Sequence, residues 1–267
     1  ERDVLLDQFW GEHAKFENLA DAHHHVHEDF HTYQGPLHDY TGEAFSSFLY
    51  ESTAEWSIVE YLPESEKLDL LGEYIFDPHL PMWMISADDQ SSYTTIRNDG
   101  VNQGGHPYGA YVFIAYLTRE VLNYKVVGDA FNTQEMGDRP ARALYSLLSN
   151  AGVDMRDMFI EFAARTITYD YKSGLTEAFR INEQKSLSKI QESINPFVTE
   201  ESKFVSTFDA QGTGSSWQTP DLGKRPGSWA YNLYKVEQAQ GNYHIAISPA
   251  STNPAHTEFR AMAVLYD

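Results

Sequence analysis

The chain has 267 residues, enough for one large domain or a medium domain with an appendage, and its 42% apolar and 14% aromatic content is that of a folded globular protein. A formal charge of -20, from 39 acidic against 19 basic residues, argues against nucleic-acid binding and against an anionic membrane surface, both of which need concentrated Lys and Arg. Cysteine is absent, which excludes disulfides and thiolate metal sites and leaves histidine and carboxylate as the available ligands.

A first helix-like segment begins near Val4, and a second covers about 14–34, where Gly35-Pro36 provides a stop. A third covers about 42–62, after a candidate Thr41 cap and before Pro63. Residues 77–105 have little periodicity and many turn residues, and read as a long loop, functional or disordered. Helical pattern resumes at Pro107-Tyr108 and continues through GAYVFIAYLTREVL, with further helices over about 139–150, 154–168 and 174–193. Asp138 and Asp154 stand near two of these starts, where negative charge suits the helix dipole.

From Pro196 the character changes. Segments 229–238, 242–248 and 258–266 alternate apolar positions between Gly, Asn and Pro clusters, as strands do. The expected architecture is α+β, with a helical domain over 1–195 followed by a small antiparallel β module over 196–267. No window reaches the roughly 18 apolar residues of a membrane span. The acidity and the abrupt ends at Glu1 and Asp267 lead to the expectation of a secreted protein processed from a longer precursor.

Residues 23–31 read HHHVHEDFH, and His27-Glu28-Asp29-Phe30-His31 fits the pattern H-E-x-x-H. On a helix, positions four apart share a face, so the two imidazoles can converge on one ion with Glu28 beside it. Zinc suits such a site, because it accepts neutral imidazole nitrogen and carboxylate oxygen and, in catalytic sites, keeps one position open beside three protein ligands. The next helix offers Glu51 and Glu55 in an otherwise apolar stripe, with Ala44, Phe48, Ile58 and Leu62. Buried carboxylates are costly unless paired or bound to metal, so the two helices are expected to pack with a cation between them. His23, one turn before His27, is an alternative ligand or a hydrogen-bonding group at the edge of the site.

The pair His27-Glu28-x-x-His31, then Glu51 after nineteen intervening residues, then Glu55, resembles the gluzincin clan of thermolysin-like zinc metallopeptidases. The chain is also similar to uncharacterised secreted bacterial proteins that join such a motif to a C-terminal β region. The resemblance implies a zincin-like catalytic domain with zinc on His27, His31 and Glu51, and Glu55 supporting His27 from behind. It further implies peptide-bond hydrolysis by a metal-activated water with Glu28 as general base. Tyr50 stands where the family usually has Asn, Glu55 where it has Asp, and the β-rich lobe that precedes the metal helix has no counterpart here.

A distal His or Tyr stabilises the oxyanion in that family, and His106 and Tyr108, at a helix start, are candidates for the role beside the alternative of an ordinary helix entry. His79 is a weaker candidate, and Asp88, Asp89 and Asp99 lack the spacing of a calcium loop. The aromatics of the β module, Trp217, Trp229, Tyr231, Tyr234 and Tyr243, suit core packing, with a carbohydrate surface as the other reading. The expectation is thus a zinc metallopeptidase acting on a protein, peptide or glycoprotein. Its rivals are an inactive peptidase-like scaffold that binds glycan or protein, and a zinc hydrolase of a non-peptide bond.

Overall fold

A computed structural model describes residues 19–34, 44–62, 71–76, 78, 80, 82, 106–132, 140–171, 176–193, 196–197, 199–209, 230–237 and 262. Helix α1 spans Leu19–Gln34 and α2 Ala44–Tyr61, both ending just before the Gly-Pro and Pro signals in the sequence. Short α3 (Leu71–Ile75), α4 (His106–Gly109) and α5 (Tyr111–Tyr116) lead into a π-helical turn at Leu117–Val121. Then come α6 (Lys125–Asn132), α7 (Pro140–Asn150), α8 (Met155–Thr168) and α9 (Thr176–Ser193). A 3-10 turn at Glu200–Lys203 precedes strand β1 (Phe204–Asp209), which pairs with β2 (Leu233–Glu237). The described chain is mainly helical.

Helix α2 is the centre of the assembly and packs against α1, α4, α5 and α7. Every residue from 52 to 59 is buried, so this helix has no solvent face over two turns. Its polar residues are accommodated by bonding back to the helix itself: Ser52 donates to the Phe48 carbonyl, Thr53 to that of Leu49 and Ser57 to that of Ala54. Around it Phe48, Ile58, Tyr111, Phe113, Phe131 and Phe162 form one hydrophobic core. Close approach elsewhere depends on glycine, since a Cβ at Gly72 of α3 would lie 2.6 Å from the Ser186 Cβ of α9.

The segment read as one helix from 107 to about 122 is broken into α4, α5 and the π turn. Arg119 in that turn makes a two-pronged ion pair with Glu60 of α2, and Tyr124 donates to the same carboxylate at 3.0 Å. The π turn, whose hydrogen bonds span one residue more than an α turn, thus carries the arginine that ties this segment to α2. At α8 the sequence expectation holds in detail, with Asp154 accepting from the backbone N–H groups of Arg156 and Asp157.

The strand pair differs from the expected antiparallel module. Strands β1 and β2 run parallel, and the 210–232 connection exceeds the dozen or so residues that a parallel crossover needs. The first strand lies inside the 196–267 module but in none of the three segments read as strands, and segments 242–248 and, Met262 apart, 258–266 lie outside the described residues. What is described after 195 sits on the helices. The Tyr231 N–H donates to the Pro78 carbonyl, its ring meets Tyr74, Phe159 and Phe162, and Lys203 pairs with Glu183 of α9 at 2.9 Å. Tyr231 therefore takes the core-packing role expected of it, whereas Tyr234 in β2 is exposed and does not.

Candidate metal centre

Helix α1 carries two faces of opposite character within one motif. Ala22, His23, Val26 and His27 are buried toward the protein, whereas His24, His25 and Glu28 face solvent. The 3.6-residue period produces this division, since 23, 27 and 31 fall in one row one turn apart. Opposite that row lies the equally regular pair Glu51 and Glu55 of α2.

Three ligand atoms meet between the helices. The Nε2 atoms of His27 and His31 are 2.9 Å apart, and Glu51 Oε2 lies 3.2 Å from the first and 3.4 Å from the second. No other group of three or more such side chains closes on a common point among the described residues. Ligand bonds of about 2.0–2.1 Å at tetrahedral angles separate donor atoms by roughly 3.3 Å, close to all three edges of this triangle. Glu51 Oε2 is buried without a well-formed hydrogen bond among the described residues, which is the state of an oxygen that a cation would satisfy.

The atoms behind the triangle decide which nitrogen of each ring carries hydrogen. Behind His27, Nδ1 lies 3.0 Å from Glu55 Oε1, and a carboxylate only accepts, so hydrogen belongs on Nδ1. Behind His31, Nδ1 meets Gln34 Oε1 at 2.7 Å. The Gln34 amide can be oriented only one way. Its Nε2 donates to the Tyr50 carbonyl at 3.0 Å, which cannot donate in return, and to Thr53 Oγ1 at 2.6 Å, whose own hydrogen goes to the Leu49 carbonyl. Oxygen therefore faces His31, and both histidines turn Nε2 inward. Each ring is also held flat against a tyrosine, His31 on Tyr50 with centroids 4.0 Å apart and His27 on Tyr108 at 5.8 Å.

Burial alone would strip the charge from His27, yet the adjacent Glu51 and Glu55 carboxylates outweigh it and lift the pKa from 6.5 to about 9. Burial would likewise neutralise Glu51, but His27 and His31 override it and bring its pKa from 4.5 down to about 2. In the metal-free protein a proton on His27 thus lies between two carboxylates, in the place a cation would fill. Burial and then the nearby Glu51 charge push the Tyr108 phenol well above its ordinary value of 10, so it remains a hydrogen-bond donor at neutral pH.

Other candidates fall at different distances from the centre. Glu28, with 54% of its side chain exposed, stands on the solvent side next to His24, whose Nδ1 is 3.7 Å from its Oε1. His23 is at the edge of the site, with Nε2 3.8 Å from Glu55 Oε2. Tyr108 is in the site. His106, by contrast, is 1% exposed and lies in the core with its ring against Tyr74. His79, Asp88, Asp89, Asp99, Trp217, Trp229 and Tyr243 lie outside the described residues.

Sequence reasoning missed Gln34 and Thr53. The sequence held no signal for either beyond a polar residue three positions after His31, and only the structure shows Gln34 fully buried at the last position of α1. Tyr50, a departure from the gluzincin pattern, is the plate on which His31 lies and the carbonyl that orients Gln34. No family model, no curated protein and no solved structure matches this chain.

Proposed function

We propose that the protein is a zinc-dependent hydrolase of peptide bonds, with the metal on His27, His31 and Glu51 in a zincin-like pairing of α1 and α2. The observation that carries this reading is the convergence of two imidazole nitrogens and a carboxylate oxygen on one point, with Glu55 and Gln34 behind the two rings. With no metal, a proton on His27 offsets the repulsion among these two nitrogens and the carboxylate oxygen, and a cation in its place would satisfy all three at once. Two imidazoles and one carboxylate are a donor set suited to catalytic zinc.

When bound, the ion supplies a Lewis acid that lowers the pKa of a coordinated water toward about 7 and polarises the scissile carbonyl. The chain's own residues do the rest. Glu28, one position after His27 and open to solvent, accepts the proton of the attacking water and returns it to the leaving amine. Tyr108, stacked on His27 with its hydroxyl by Glu51, is placed to donate a hydrogen bond to the developing oxyanion. Glu55 and Gln34 keep the ligand rings from turning.

The test has two parts. Zinc retained after dialysis should approach one equivalent, and an unbiased library of peptides and glycopeptides should yield products that a chelator suppresses. Glu28→Gln should keep the zinc and lose turnover by about 10²–10⁴ or more. Retained cleavage by that variant removes Glu28 from the mechanism, and bound zinc without any chelator-sensitive product points to a binding scaffold instead.

A further inference from the structure

We propose that Gln34 is a positioning residue for the metal: its buried amide holds His31 in the tautomer with hydrogen on Nδ1, and so keeps the Nε2 lone pair aimed between α1 and α2. The inference rests on the metal-site reading above and extends it to a residue outside the ligand set.

The case is a closed hydrogen-bond count. Gln34 has two amide hydrogens and one strongly accepting oxygen, and its side chain is 0% exposed, so no water competes for them. Both hydrogens are committed to α2, at the Tyr50 carbonyl and Thr53 Oγ1. Rotating the amide by half a turn would set its oxygen against the Tyr50 carbonyl oxygen and leave two acceptors in contact, which is repulsive in a buried place. The oxygen is thereby pinned 2.7 Å from His31 Nδ1 and can only accept. A proton on Nδ1 leaves Nε2 bare, and the Tyr50 ring, 4.0 Å away and nearly parallel, prevents the imidazole from rotating out of that alignment. Tyr50 and Thr53 also flank Glu51 in sequence, so one amide ties the second histidine to the turn that carries the carboxylate ligand.

Substitutions can separate this role from simple helix packing. Gln34→Leu removes both the acceptor and the two bonds to α2. Gln34→Glu keeps an acceptor for His31 but loses both donors to α2 and sets an oxygen against the Tyr50 carbonyl, so it serves the tautomer readout alone. Thr53→Val cuts one cross-helix bond and leaves the acceptor in place. Zinc affinity, measured by competition with a chelating dye, should fall about 10–100-fold in Gln34→Leu and stay within about threefold of the parent in Thr53→Val.

A second readout needs no metal: long-range ¹H–¹⁵N correlations of the histidine rings in the metal-free protein. They should show His31 protonated on Nδ1 in the parent and in Gln34→Glu, and shifted toward Nε2 in Gln34→Leu. Circular dichroism confirms that each variant is folded. Unchanged affinity and tautomer in Gln34→Leu overturn the proposal, as does a Thr53→Val variant as weak as Gln34→Leu, which would assign the effect to packing between the helices. If the parent retains no zinc while the ring correlations follow the expected order, the metal reading fails and the tautomer assignment stands.

Discussion

The two histidines of the centre occupy equivalent places one turn apart on α1, yet they are backed by different chemistry. His27 is supported by Glu55, a carboxylate only 2% exposed, with His23 on its far side. His31 is supported by Gln34, a neutral amide anchored to the backbone of α2. A buried carboxylate makes the imidazole more basic and requires a compensating positive charge, whereas an amide fixes direction without adding charge. One arm therefore sets how strongly the site attracts a cation, and the other sets where the donor atom points.

The comparison is broken most severely by removing a ligand common to both arms. Glu51→Ala should reduce retained zinc to background and leave the fold in place, as read by metal analysis beside circular dichroism. Next in size is Glu55→Gln, which keeps shape and removes charge. Its zinc affinity should fall by about 10–100-fold, as for Gln34→Leu. Only the Glu55 variant should also return the His27 titration in the metal-free protein from about 9 toward 6.5. Equal titration shifts in both variants would erase the distinction between a charged and a neutral arm.

A pH series sharpens it further. Because the folded pKa of His27 is raised, its contribution to metal-free stability is complete below 6.5 and is lost as pH rises through about 9. Glu51 has a lowered pKa, so its contribution is present above 4.5 and is lost as pH falls through about 2. The metal-free protein should accordingly melt at lower temperature at pH 9 than at pH 6, and Glu55→Gln should flatten that slope. The smallest expected effect is that of Tyr108→Phe, which lowers turnover by about 10-fold or more through loss of one oxyanion donor while leaving zinc affinity unchanged.

How far the centre was legible in the sequence follows the same division. The helical period sets His27 beside His31 and Glu51 beside Glu55, the carboxylates in an apolar stripe point to a partner, and the structure brings all four together. Gln34 was not legible, because its role depends on the Tyr50 carbonyl of another helix arriving beside it. Similar causes hid parts of the fold. The π turn carries a pairing between Arg119 and Glu60, 59 residues apart, and the parallel register of β1 and β2 is imposed by tertiary packing that strand propensity does not encode. Helix α6 escaped notice since Gly128 interrupts a short segment of modest propensity.

The most direct test of the central claim is X-ray absorption at the zinc edge on protein loaded with one equivalent of the metal. Two imidazole rings and oxygen donors, all at about 2.0–2.1 Å, are the predicted shell, with one imidazole lost in His31→Ala. An oxygen-only shell, or a spectrum unchanged by His31→Ala, would contradict it.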